Sequence, residues 1–428
     1  MQAVFLLILI GAGLLSGAAI AYVIGAASIM TFILGDHANF MAALPQRLFS
    51  QLDVFAFLAM PLFIFAGDLM NRGGIASALI DFSMSLLGRV KGGLGHVNVL
   101  TSVFFAGVSG SAVSDAAALG NSLVPEMQKR GYSLDYAVAI TGASSIIGPI
   151  IPPSSILIFY GALMNTSVTA LFAAGVVPGL LLAAVLMVMN AFYAWRDDHP
   201  GGGDPATIPP IKKSFFRALP AMTLPIIILG GTLFGIMTPA EAAAVAVGAA
   251  LIIGFSYRKL DLEAVRQSAI RTAVLLGALF IILCAISTFS YIAALDRLPQ
   301  AIAAQITEWG LGPLQYLMLV NVVFLIAGMA MDVKAAVALF APIFVPVALA
   351  MGIDPVHLGI VICFNISTGL LSPPIGGVLL ILATTCNINY WRLIRATLPF
   401  FFAEVILLVV LTFFPAISLA LPHALGLS

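Results

Sequence analysis

Ser109, Ser111, Ser114 and Asp115 stand together in "GVSGSAVSD", an oxygen-rich stretch inside an otherwise apolar chain. Further along, "GPIIPPSSILIFYG" (Gly148–Gly161) carries Pro149, Pro152 and Pro153, then Ser154 and Ser155. Proline has no N–H to donate and its ring clashes with the preceding turn, so a regular helix cannot run through Pro152-Pro153 undisturbed. Two glycines and three serines weaken a helix in the first stretch as well, which suggests an unwound turn. Interrupted backbone presents carbonyls, and with nearby hydroxyls these can replace water around a small hard cation. Oxygen-only ligation suits Na⁺ better than a transition metal. The N-terminal ends of half-helices at such breaks favour an anionic group.

The same ingredients occur again as "GMAMD" (Gly328–Asp332) and "NISTGLLSPPIGG" (Asn365–Gly377), with the double proline Pro373-Pro374. Asp115 and Asp332 are ionisable groups in apolar segments. Either could neutralise a cation or take a proton, or simply cap a helix start. A single proline break reads as a packing kink. Two matched double-proline breaks read as a central site, because non-helical backbone at membrane depth is tolerated only inside protein or beside a water-filled cavity. Paired interruptions in corresponding halves point to the binding site of a secondary transporter. Asp68 and Arg72, four residues apart, read as a local ion pair. Glu241 and Glu404 are single acids in apolar runs with no role assignable from sequence. "GVSG" also fits a G-x-S-G pattern resembling rhomboid-type intramembrane serine proteases, in which Ser109 would need His96 or His357 as base. That reading leaves the recurrence unexplained. A passive channel would show pore-lining rings contributed by symmetry, which these hairpins do not suggest.

The elements that must hold these residues are membrane helices. The 428 residues are 61% hydrophobic and 8% charged, against roughly 25% charged in soluble domains. Runs of about 20 apolar residues span a bilayer. Val4–Ile33, Val54–Leu69, Leu171–Ala194, Leu219–Ile236, Ala240–Phe255, Ala273–Ala293, Leu314–Met331 and Pro399–Leu419 read that way. Counting interrupted runs, roughly ten to twelve passes are expected, in an all-α polytopic protein. "MQAVFLLILI" has no Lys or Arg ahead of its apolar run and reads as a retained first helix. A formal net charge of zero gives no reason to expect a nucleic-acid partner. Cys284, Cys363 and Cys386 read as small buried hydrophobes, and the scattered histidines predict no zinc-type site.

Residues 196–217 form the main polar break and read as a loop, with Arg196, Lys212, Lys213 and Arg217. A second basic stretch, Tyr257–Arg271, follows two apolar segments later, so both should lie on one side, the cytoplasm by the positive-inside rule. The break divides the chain into halves 1–195 and 218–428. The double prolines are offset by 221 residues, and that offset also pairs Gly107 with Gly328, Pro125 with Pro346, Gly131 with Gly352, Gly148 with Gly369 and Pro178 with Pro399. This is an internal duplication. Each half is expected to hold an arm helix (about 75–90 and 296–310), a broken helix (about 107–128 and 328–350) and a re-entrant hairpin (about 137–170 and 357–390). Ile75, Leu79, Phe82 and Leu86 form one stripe of the first arm, with Asp81, Ser85 and Arg89 on its other face. Leu298, Ile302, Ile306 and Trp309 form the stripe of the second. Both read as amphipathic helices lying along the membrane surface.

"AMPLFIFAGDLMNRGGI", "GSAVSDAAALGNSLVPEMQKRGY", "ASSIIGPIIPPSSILIFYG", "GMAMD" and "STGLLSPPIG" resemble the large membrane subunit of TRAP (tripartite ATP-independent periplasmic, DctM-like) transporters, over essentially the whole chain. The resemblance implies a transporter rather than an enzyme: a multi-pass, Na⁺-driven importer of organic acids in the bacterial inner membrane, surrounded by membrane lipids. It implies two partners, a small four-helix membrane subunit and a periplasmic substrate-binding protein. It implies inverted repeats and an elevator mechanism with scaffold and transport domains, and no cofactor beyond the coupling ion. By matching positions, one Na⁺ site would use Ser109, Gly110 and Ser111 with Gly148, Ile151 and Pro153, and a second Gly328 with Gly369, Ser372 and Ile375, many through backbone carbonyls. Substrate would lie near Ser154, Ser155 and Asn365; Asp115 and Asp332 stay coupling candidates as ionisable groups in apolar segments. The chain departs from the family after Pro374, where "IGGVLLIL" replaces a usual "VGLNLF".

Overall fold

The computed structural model describes residues 13, 18–34, 38–201 and 208–427. Among these the structure is helical, with a single isolated bridge between Lys91 and Gly201. Among the described residues eight helical segments are long and apolar enough to cross a membrane, and shorter apolar helices lie between them. The chain is therefore a multi-pass helical membrane protein. The start of the expected first span lies largely outside the described residues. Its end is helix α1 (Ile20–Leu34). After α2 (Leu44–Leu52) come α3 (Ala59–Arg72) and the arm α4 (Ile75–Leu87). The first repeat unit continues with α5 (Gly93–Ser109), α6 (Ala112–Lys129), α7 (Leu134–Ser145), α8 (Ser155–Met164) and α9 (Val168–Arg196). Helices α10 (Ile211–Leu233), α11 (Pro239–Ser256) and α12 (Leu262–Leu295) lead to the second arm α13 (Leu298–Glu308). Then follow α14 (Pro313–Ala330), α15 (Val333–Ala350), α16 (Pro355–Gly369), α17 (Gly377–Thr385), α18 (Tyr390–Phe413) and α19 (Ala416–Ala424).

The 221-residue offset recurs in the backbone. Helix α5 ends at Ser109 and α14 at Ala330; α6 begins at Ala112 and α15 at Val333. Gly131 and Gly352, paired by the offset, both take the left-handed conformation just after those second half-helices, where a side chain would be strained. Ser133 and Asp354 then cap α7 and α16 through side-chain oxygens that accept backbone N–H groups. Each hairpin packs on the other half. Helix α17 lies against α6, where Leu382 contacts Gly120, and α8 lies against α15 and α16, where Tyr160 contacts Gly359.

Several boundaries differ from the sequence reading. The loop expected at 196–217 ends earlier: Ile211–Arg217 is the first part of α10, with Ser214 buried while Lys212, Lys213 and Arg217 face outward. Charged residues here mark a helix extending past the apolar layer, and Lys and Arg are good helix formers. The last span begins at Tyr390 rather than Pro399, which sits inside α18, and it stops at Phe413 because Phe414 precedes Pro415. On the first arm Ile75, Leu79 and Phe82 are buried as expected, but Leu86 is exposed and Ser85 is buried. The helix packs against both α5 and α10, so a wider face is covered than a single stripe. On the second arm Ile306 is buried and Trp309, just past the helix end, is exposed.

Both basic stretches lie at one end of the molecule. The Tyr257 hydroxyl donates to the Arg217 carbonyl, and Arg217 pairs with Asp81 at 3.0 Å. Asp68 pairs with Arg72 as the spacing predicted, at 2.9 Å, and also with Arg271 at 3.3 Å.

Candidate functional site

The first interruption is a two-residue break. Helix α5 stops at Ser109, Gly110 turns left-handed (φ 60°) and Ser111 is extended before α6 begins. A side chain could not replace the hydrogen of Gly110: its Cβ would lie 2.5 Å from the Pro153 carbonyl oxygen. The break is thus pressed against the double proline of the first hairpin, whose Pro152-Pro153 bond is cis. Ser155 Oγ donates to the Gly110 carbonyl at 3.2 Å, closing the contact. The Ser154 hydroxyl accepts from Leu157 N–H as the cap of α8 and donates to the Pro149 carbonyl. Ser109 Oγ donates to Asp115 Oδ1, while Asp115 is fully buried and its Oδ2 has no hydrogen-bond partner. That oxygen points at Gly148, where any Cβ would collide with it. Ser109, Gly110, Gly148, Pro153, Ser155 and Asp115 therefore meet at one point, and buried Ile151 follows Gly148 by less than a turn.

The second interruption has a different chemistry. Helix α14 ends at Ala330, Met331 is extended and Asp332 caps α15, accepting from Lys334 N–H at 2.9 Å. Asp332 is exposed, unlike Asp115. Gly328 and Gly369 touch backbone to backbone: a Cβ on Gly369 would lie 2.7 Å from the Gly328 carbonyl carbon, and one on Gly328 2.6 Å from the Ile366 oxygen. Ser372 is buried and donates to the Gly369 carbonyl at 2.9 Å. Ile375 is half-exposed, and its N–H donates to Met329 O at 3.3 Å. So each hairpin tip is seated on the interruption of its own half.

The chain matches the family described as "Tripartite ATP-independent periplasmic transporter, DctM component" over residues 6–417. It belongs to that family. It is 37% identical over 392 residues to the C4-dicarboxylate TRAP transporter large permease protein DctM of Pseudomonas aeruginosa, covering 90% of each chain. It is 37% identical over 391 residues to the sialic acid TRAP transporter large permease protein SiaM of Vibrio cholerae, again covering 90% of each. In fold it is similar to the YdaH transporter of Alcanivorax borkumensis, with a TM-score of 0.66, 14% identity and 97% coverage of both chains.

In this TRAP large subunit the sequence-derived residues do not all converge. Asn365 is fully buried four residues before Gly369, and its amide donates to Asn321 O and Oδ1 at 2.9 and 3.0 Å. Its amide nitrogen is thus engaged inside the protein, one turn before the glycine contact of the second hairpin. Ser109 as a protease nucleophile is not assembled: its hydrogen bond goes to Asp115, and His357 is paired with Ser418 at 2.8 Å. Among the described residues no three His, Cys, Asp or Glu side chains form a metal cluster. One contact had no signal in the sequence. The Tyr390 hydroxyl donates to the carbonyls of Pro374 and Ile375, both at 2.9 Å, and so fixes the tip of the second hairpin from the next helix.

Proposed function

We propose that this TRAP large subunit is the membrane-embedded carrier of a Na⁺-driven importer of organic acids in the bacterial inner membrane, receiving substrate from a periplasmic binding protein and working beside a small four-helix subunit. The observation that carries the reading is the pair of interruptions, each seated on its own hairpin tip. Ser109, Gly110, Ser111, Gly148, Ile151 and Pro153 surround the first, and Gly328, Gly369, Ser372 and Ile375 the second. Oxygen atoms dominate both, as a hard monovalent cation requires. Na⁺ entering before substrate orders the tips, and a tip already ordered costs less to bind against, which couples the two without a relay. Ser154 and Ser155 begin α8 beside the first site, where the helix N-terminus favours a carboxylate. Substrates of the relatives, C4-dicarboxylates and sialic acid, share that group. The hairpins and second half-helices form the moving body in an elevator-type cycle, and the arms α4 and α13 belong to the scaffold of an inverted repeat.

The test is uptake into liposomes holding the large subunit, its small subunit and the binding protein, with labelled carboxylates. Uptake should require an inward Na⁺ gradient and should be lost in Ser109→Leu and Ser372→Leu. Uptake indifferent to the Na⁺ gradient and surviving both replacements rejects the proposal.

A further inference from the structure

A seam of buried polar side chains runs along α16 where it meets α14, α18 and α19. His357 Nδ1 lies 2.8 Å from Ser418 Oγ at one end. Asn321 donates to Thr412 Oγ1 at 2.8 Å, and Asn365 donates to Asn321. Glu404 lies on α18 eight residues before Thr412, just over two turns away and on the same face. Thr368 lies on α16 one turn beyond Asn365 and interacts with the Glu404 carboxyl. Glu404, Thr368 and Asn365 are each fully buried.

The hydrogen bonding of this seam does not close. Glu404 Oε1 and Oε2, Thr368 Oγ1 and Asn365 Oδ1 all lack hydrogen-bond partners. An ionised carboxylate accepts but does not donate, and burying one without a donor is among the most costly arrangements in a protein. Among the described residues no Lys, Arg or His side chain reaches the Glu404 carboxyl. The ionisable groups on elements packed against α18 are Asp135 and Tyr136 of α7, Tyr193 and Arg196 of α9, Tyr316 of α14, His357 and Cys363 of α16, and Cys386 after α17. On α18 itself are Tyr390, Arg392 and Arg395 at its start, where Arg392 pairs with Asp135 at 2.7 Å, and α19 carries exposed His423. None of these hydrogen-bonds to the Glu404 carboxyl, beside which Thr368 is the polar side chain. A bound proton removes the charge and turns one carboxyl oxygen into a donor for a seam that has unpaired acceptors.

We propose that Glu404 is a proton-binding site of the transport cycle, its carboxyl protonated while the seam is closed and exchanging that proton with water when the second hairpin moves. The O–H bond forms with a proton from solvent and breaks by returning it, so no other reactant is needed. Thr368 immediately precedes Gly369, whose backbone lies against Gly328, so movement at the second interruption and opening of the seam are mechanically linked.

Two measurements on the membrane complex in liposomes test this. Infrared spectra at neutral pH should show a protonated-carboxyl stretch that shifts in heavy water and is lost in Glu404→Gln; Thr368→Val, which leaves Glu404 in place, should move its frequency. This arm does not depend on the Na⁺-driven reading, on which the second arm rests. There, substrate uptake under a fixed Na⁺ gradient should depend on pH in the natural protein and become flat in Glu404→Gln, with uptake retained because glutamine imitates the neutral acid. Absence of a Glu404-dependent band, or a pH profile unchanged by Glu404→Gln, overturns the proposal. A band that is present with no Na⁺-dependent uptake leaves the proton site standing and removes the Na⁺-driven reading instead.

Discussion

Asp115 is held by one neighbour and confined by another. Ser109 supplies its hydrogen bond, and the missing side chain of Gly148 supplies its space. Replacing Gly148 by alanine puts a methyl group where Oδ2 sits, an overpacking that typically costs about 1–3 kcal/mol. We expect Gly148→Ala to lower the thermal stability of the complex and to abolish uptake. Gly179→Ala would crowd Ile151 instead, and serves as a comparison that tests the same site without touching Asp115. The Ser109–Asp115 contact should also be visible as coupling. A double-mutant cycle of Ser109→Ala and Asp115→Asn should give an interaction energy of roughly 0.5–3 kcal/mol, whereas additive effects would show that the two do not act together.

Among elements, Asn190 of α9 is the joint that ties the first hairpin to the turn before α5. It accepts from the Tyr136 hydroxyl at 2.5 Å and donates to the Gly92 carbonyl at 3.1 Å, fully buried. Gly95 makes room for it: a Cβ there would strike the amide. Asn190→Leu leaves the buried Tyr136 hydroxyl without a partner, while the Gly92 carbonyl keeps its backbone donors Gly95 and His96, and should destabilise the protein by about 1–3 kcal/mol, read from its melting temperature. Sequence periodicity could not have singled it out. An asparagine in an apolar helix carries no signal of which neighbour it serves until helices from distant parts of the chain are packed around it.

At the scale of the whole molecule, the basic end is closed by short-range contacts between distant segments. Its exposed ion pairs contribute little: replacing Asp81, partner of Arg217, by asparagine should change stability by less than about 1 kcal/mol. His199 is different. It lies against Tyr132 and Tyr136, with ring centroids 4.9 and 4.3 Å away, while neighbouring Asp198 pairs with Lys91 at 2.6 Å. Burial pushes its imidazole below the usual histidine range, against the weaker pull of Asp197. The folded state therefore binds this proton less readily than the unfolded chain. The stability His199 contributes is present above the ordinary histidine pKa of about 6.5 and is lost as pH falls through the lower folded value. Melting temperatures should drop on acidification across that window, and His199→Gln should reduce the drop; an equal drop in both would exclude this residue as the cause.

The helical, membrane-spanning class and the duplicated punctuation were legible in the sequence because each rests on local chemistry. Apolar runs of bilayer length, double prolines and left-handed glycines act on the backbone wherever they occur, so the breaks at Gly110 and Met331 follow from the residues around them. Arg72 with Asp68 was legible for the same reason, being one helical turn apart. Tertiary structure alone decided which polar groups meet. It buried Asp115 against Gly148 but left Asp332 exposed as a cap, although both stood in matching stretches. It joined Asn365 to Asn321, and it gave Glu404, silent in the sequence, a fully buried carboxyl without a hydrogen-bond partner. Such pairings depend on separate helices, 44 residues apart for Asn321 and Asn365, coming into register, and that register is set by the packing of whole faces rather than by any single residue.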